Sequence, residues 1–147
     1  MHGLRRRARS YALQVLFALD ELGEDVGASA RGAVDRYAAL FDLEVDPESL
    51  QFAGELVERT REEADDIDDI VQRASRNWRI DRMSRVDRNI LRMSTCELRR
   101  DAKVPTRVII NEAVELAKEF GAEESASFVN GLLDRIAHEV RPGDDTA

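Results

Sequence analysis

Arg5, Arg6, Arg7 and Arg9 crowd four guanidinium groups into one short segment, and no acidic residue occurs before Asp20. On a helix they spread over a broad arc and repel one another. A phosphate backbone would relieve that repulsion, through bidentate contacts and the release of condensed counterions. Arginine-rich termini are also known to order on contact with RNA. The alternative is a solubilising terminus or a purification remnant. With each residue advancing about 100°, Phe17 lies about 180° from Ala8 and close to the azimuth of Arg6. It can stack on an unpaired base or pack against a neighbouring helix. Arg85, Arg88 and Arg92 share one helical face at i, i+3 and i+7. That stripe either extends a track for RNA, meets an acidic partner, or pairs internally with the acids of 62–69. Phe128-Val129-Asn130-Gly131 sets a glycine inside a helical pattern, at about 1 kcal/mol relative to alanine. The placement predicts a close approach to the backbone at Gly131, by a neighbouring helix or a ligand.

Catalytic chemistry lacks its parts. His2 falls in an expected flexible end and His138 near the finish of the last helix, and neither has neighbours at metal-ligand spacing. The glycine patterns of nucleotide cradles and nucleophile elbows are absent. Carboxylates are abundant, but on helix surfaces they serve solvation and ion pairing before acid–base work. Cys96 is the only cysteine, so no internal disulfide forms and a reducing cytoplasm fits. Its place in a helical pattern reads as buried filler. No cofactor and no metal are expected, and the protein reads as non-enzymatic.

A net charge of −8 over 147 residues argues against a polyanion partner only if the charge is evenly spread, and it is not. Residues 42–70 hold twelve acids against Arg59 and Arg61, whereas 71–107 carry eleven basic side chains against Asp81, Asp87, Glu97 and Asp101. A polyanion meets the local field, because screening ends interactions beyond roughly 8 Å at physiological salt. No apolar run approaches the roughly 18 residues of a membrane span, and the basic N-terminus lacks the apolar stretch of a secretory signal.

These side chains must be positioned by helices. Pro47, Pro105 and Pro142 stand where helices start or stop, and no proline or glycine falls between Glu55 and Val104. Apolar positions step at three and four through Leu50, Ala53, Leu56 and Val57, then Ala64, Ile67, Ile70, Val71, Ala74 and Trp78. The acids from Glu62 to Asp69 mark a bend or break in that run. Asp46-Pro47-Glu48 opens one helix, and Ser84 with Asp87 resembles a capping box opening another. Pro105 or Thr106 starts a helix stopped at Gly121, and the last helix runs from about Ser125 to Val140, ended by Arg141-Pro142-Gly143. The first covers about Leu4 to Glu21, burying Ala8, Tyr11, Ala12, Val15, Leu16 and Leu19, and a second covers roughly Ala28 to Phe41. The expectation is an all-α protein of about seven helices, with 1–142 as a single domain and 143–147 as a flexible tail.

Together the segments resemble one family. Arg5-Arg6-Arg7-Ala8-Arg9 before the Ala12/Leu16 helix is similar to the N-terminal arginine-rich motif of the bacterial NusB family of transcription antitermination factors. Val86-Asp87-Arg88-Asn89-Ile90-Leu91-Arg92 with Glu97-Leu98 resembles its central helix. Val104-Pro105 with Ile110-Asn111-Glu112-Ala113-Val114-Glu115-Leu116-Ala117-Lys118 resembles its most diagnostic stretch, and Phe120-Gly121-Ala122-Glu123-Glu124 with Phe128-Val129-Asn130-Gly131-Leu132-Leu133 completes the pattern. Residues 20–50 match loosely, as a variable connection would.

The resemblance implies two packed helical subdomains in one RNA-binding domain. It implies binding of boxA, a short single-stranded element of ribosomal RNA leaders, and of NusE, a small-subunit ribosomal protein, with delivery of both to the RNA polymerase elongation complex on ribosomal RNA operons. Carried over residue by residue, the RNA candidates are Arg5, Arg6, Arg7, Arg9, Phe17, Glu124 and Phe128. Asp87 and Arg92 match a shared RNA and partner surface. Some family members pair into homodimers that hide the arginine surface, and both states stay open here. The domain also resembles the N-terminal part of some ribosomal RNA cytosine methyltransferases. That reading needs a catalytic domain beyond Ala147, so the expectation remains a cytoplasmic, non-enzymatic adaptor.

Overall fold

The computed structural model describes residues 2–22, 46–100 and 102–143. Among them the regular structure is helical: six α-helices and one short 3-10 turn, against the seven or so expected. The helix expected over 28–41 lies outside the described residues. Two compact units divide the chain, Met1–Glu62 and Glu63–Ala147.

In the first unit α1 (His2–Leu22) packs on α2 (Pro47–Glu62). Ala8, Ala12, Val15, Leu16 and Leu19 form the buried stripe of α1, as their spacing predicts, with Tyr11 half-buried at its edge. Ala53, Leu56 and Val57 supply the matching stripe of α2. Burying each larger aliphatic chain contributes roughly 1.5–3 kcal/mol. The α2 terminus is held by Asp46, whose Oδ2 accepts the Ser49 amide at 2.9 Å. That carboxylate satisfies one of the amides left without a partner in a first turn. His2 lies in the first turn of α1 and not in an irregular end.

The second unit holds α3 (Ala64–Ala74), the 3-10 turn Ile80–Arg82, α4 (Arg85–Arg100), α5 (Thr106–Phe120) and α6 (Ser125–Val140). The break before α3 falls at Glu63, within the expected acidic stretch. Glu63 is fixed there because its carboxylate receives both Arg99, at 2.7 Å, and Arg100. Helix α4 contacts α3, α5 and α6, and every residue from Asn89 to Leu98 except Arg92 is buried. A helix packed by three neighbours carries small and apolar residues around most of its circumference, and Ser94, Thr95 and the buried Cys96 meet that demand. Arg141 closes the unit, donating from Nε to the Leu98 carbonyl at 2.9 Å and from Nη1 to that of Val104 at 2.8 Å. It thereby caps the exposed end of α4 and ties it to the finish of α6.

Trp78 departs from expectation. The three–four spacing carries it on paper into the buried stripe of α3, but α3 stops at Ala74 and Trp78 is 54% exposed. Local hydrogen bonds override the periodicity. Ser75 Oγ donates to the Trp78 carbonyl at 2.7 Å, Gln72 Nε2 donates to the Ser75 and Trp78 carbonyls, and Gln72 Oε1 accepts the Ile80 amide at 2.9 Å. One glutamine thus folds residues 75–80 into a turn and leaves the indole outside. Gly131 departs as well. A Cβ there would meet nothing within 4 Å, so no described residue makes the close approach expected of it.

Candidate nucleic-acid interface

The arginine quartet divides. Arg5, Arg6 and Arg7 are exposed on α1, while Arg9 is only 5% exposed. Arg9 lies within about 40° of Leu13 and Leu16 on a helical wheel, and therefore shares their inward face. Its guanidinium sits 5.5 Å from the centre of the Phe52 ring on α2, and that of Arg5 is at 4.2 Å. The ring's negative face attracts both cations. The absence of a nearby acid holds along the sequence but not in space. Arg7 lies close enough to Asp46 to help lower its pKa, behind the larger effect of its hydrogen bonds with Ser49. Phe17 is half-buried on the same helix. Phe52 escaped the sequence reading, since it flanks the α2 stripe without belonging to it and carries no chemistry of its own.

Three other candidates converge in the second unit. Asp87 in the first turn of α4, Glu124 before α6 and Phe128 in its first turns line one groove of about 340 Å³, together with Trp78 and Met83. Gly121 makes this possible. A Cβ at that position would stand 2.6 Å from Ser125 Cβ and 2.7 Å from the Ala117 carbonyl, so only glycine lets the α5–α6 turn close. Ser125 Oγ then accepts the Ala122 amide at 2.9 Å, which sets Glu124 at the rim. Phe128 is half-buried, and its ring meets that of Trp78 at 6.1 Å between centroids and 52° between planes. Ser84 Oγ accepts the Asp87 amide at 3.1 Å, as the capping pattern predicts. The Asp87 carboxylate oxygen Oδ1 is nevertheless buried without a hydrogen-bond partner among the described residues. An unsatisfied buried acceptor costs about 1–3 kcal/mol, a penalty that a donor entering the groove would remove.

Arg92 is not part of this groove. Its Nε and Nη2 form a two-pronged pair with Asp68 of α3, at 2.8 and 3.1 Å. Of the readings left open for the stripe, internal pairing therefore describes Arg92. Arg88 turns toward the carbonyls of Asp81 and Met83, and Arg85 is exposed. The stripe is not a continuous basic surface. No group of described His, Cys, Asp or Glu side chains is arranged to hold a metal ion. His138 Nδ1 lies 2.7 Å from the carbonyl of Asp134, within its own helix.

The profile of the NusB family matches residues 6–138. The chain is 47% identical over 135 residues to the transcription antitermination protein NusB of Myxococcus xanthus, an alignment spanning 92% of this chain and 95% of that one. It is similar to the solved structure of NusB from T. maritima, with a TM-score of 0.82, 36% identity, and coverage of 94% and 93% of the two chains. A chain from a crystal structure of the antitermination factors NusB and NusE in complex with dsRNA superposes with a TM-score of 0.79 at 27% identity, covering 95% of this chain and 99% of that one.

Proposed function

The chain belongs to the NusB family, and on that premise we propose that it binds boxA-type single-stranded leader RNA together with NusE, and joins the elongating RNA polymerase complex on ribosomal RNA operons in the cytoplasm. The observation that carries this reading is the groove shared by Asp87, Glu124 and Phe128. It pairs an aromatic face, on which an unpaired base stacks, with carboxylates able to accept hydrogen bonds from base amino groups or from a basic partner. The partnerless Oδ1 of Asp87 supplies a reason for a donor to enter. Arg5, Arg6 and Arg7 contribute the sequence-independent part, binding phosphates and releasing counterions. The solved complex of NusB and NusE with dsRNA supports RNA and NusE as partner classes. In this mechanism the protein performs no bond chemistry: it couples an RNA segment to a protein partner.

The test is a filter-binding titration of boxA-type RNA, a scrambled strand of equal length and a duplex, each with and without NusE. The expected order is boxA above scrambled, with NusE strengthening the preference. Equal binding of all three RNAs, unaffected by NusE, would refute it.

A further inference from the structure

Behind the Trp78–Phe128 pair lies a second and larger trough, of about 680 Å³, between the 75–78 turn and α6. Its chemistry differs from that of the groove described above. Arg76 and Arg135 line it, and no acidic side chain does. The aromatic pair thus separates an anionic groove holding Asp87 and Glu124 from a cationic trough. Trp78 is exposed although the described chain otherwise keeps its large apolar side chains covered. Gly131 leaves the floor without a side chain, and no described atom needs that space. Arg135 is held in place by donating to the Ala74 carbonyl at 3.0 Å, an anchorage that leaves other guanidinium N–H groups to donate elsewhere.

An exposed indole beside two arginines, over a glycine floor, matches one ligand class: an unpaired nucleotide, its base on the aromatic ring and its phosphate on the guanidiniums. We propose that the trough lined by Trp78, Arg76, Arg135 and Gly131 is a second nucleotide subsite, which takes an unpaired nucleotide flanking the RNA element bound across the Asp87–Phe128 groove. The inference rests on the proposed RNA-binding function and adds a place where the strand continues. A charged protein side chain is disfavoured, because a basic one would meet Arg76 and Arg135 and an acidic one would not use the indole; an apolar one would leave both guanidiniums without an anion.

Trp78 is the only tryptophan of the protein and lines both the groove and the trough, so a fluorescence change beyond that caused by the unextended strand reports the trough. The full chain is titrated with a boxA-type RNA and with the same RNA extended at either end by a few unpaired nucleotides. One extended strand should bind about tenfold more tightly than the unextended one, within the range for one stacked base, and should quench Trp78 further. Arg76→Glu, at an exposed position that does not line the Asp87–Phe128 groove, should erase that tenfold difference while the unextended RNA still binds. Trp78→Ala, which lines both, should weaken either strand and erase the difference between them. Equal affinity and equal fluorescence for both strands would overturn the subsite and leave the proposed function standing. Failure of every strand to bind would overturn both. If Trp78→Ala left the gain from extension intact and instead weakened binding of NusE, the trough would be a protein contact and the proposal wrong.

Discussion

The division of the arginine quartet has a measurable consequence. Replacing Arg5, Arg6 and Arg7 together by alanine removes three exposed guanidiniums. On a single strand each neutralised phosphate contributes about 0.7 to the slope of log affinity against log salt, so the slope should flatten by about 2. Between roughly 50 and 200 mM salt the parent should therefore lose about twentyfold more affinity than the triple variant. Arg9→Ala should behave differently. Arg9 is buried beside Leu13 and Leu16 and stands over Phe52, so its loss removes packing of the stem and a cation–π contact of about 0.5–2 kcal/mol. Its melting temperature should fall by a few degrees, at about 2–4 °C per kcal/mol, with the salt slope unchanged. The assays are RNA titrations at several salt concentrations and thermal melts of each variant. If Arg9→Ala flattened the slope as much as Arg6→Ala and melted like the parent, the burial argument would fail. An unchanged slope in the triple variant would remove the arginines from the RNA interface altogether.

Phe128→Ala should lower RNA affinity about tenfold, with a stability loss below the roughly 3–5 kcal/mol of a fully buried phenylalanine, because the ring is half-exposed in its groove; a large drop in melting temperature at unchanged affinity would make it a core residue. Gly131→Ala should raise the melting temperature, since alanine gains up to about 1 kcal/mol in a helix and its Cβ meets open space; a fall would expose a neighbour of Gly131 outside the described residues. Gly121→Ala should do the reverse, losing about 1–3 kcal/mol to overpacking, as its Cβ would press on Ser125 and the Ala117 carbonyl; chemical denaturation measures it. The side-chain and then the backbone hydrogen bonds of Ser49 hold the Asp46 carboxyl below its usual pKa. A depressed folded pKa means a contribution present above the ordinary carboxylate range and lost as pH falls through the lowered value. Urea midpoints should show an acid-side loss that Asp46→Asn, which still caps, lacks; identical profiles would discard the cap's role.

Helix starts and stops were legible because they depend on local chemistry. Asp46 before Pro47, Ser84 three residues before Asp87, and Gly121 ahead of Ser125 each act within one turn of chain. The buried stripes of α1 and α2 were legible from spacing for the same reason. Trp78 was not, because the three–four rhythm runs on after the helix has stopped, and the bonds of Gln72 and Ser75 that stop it leave no periodic trace. The family pattern picked out Asp87, Glu124 and Phe128 one by one, but their common groove depends on how α4 meets the α5–α6 turn.

Sequence alone determined that this chain is helical, that its N-terminus is rich in arginine, and which family its motifs resemble. Those properties follow from residue type, period and order, and survive whatever the helices pack against. Tertiary structure decided which charges are available. Burial took Arg9 from the quartet, Asp68 took Arg92 from the stripe, and the turn at 75–80 left an indole beside Arg76 and Arg135. The reason is electrostatic and geometric. A side chain's charge is written in the sequence, but whether it meets solvent, a ring or an opposite charge depends on atoms from distant segments, brought within a few ångströms only by folding.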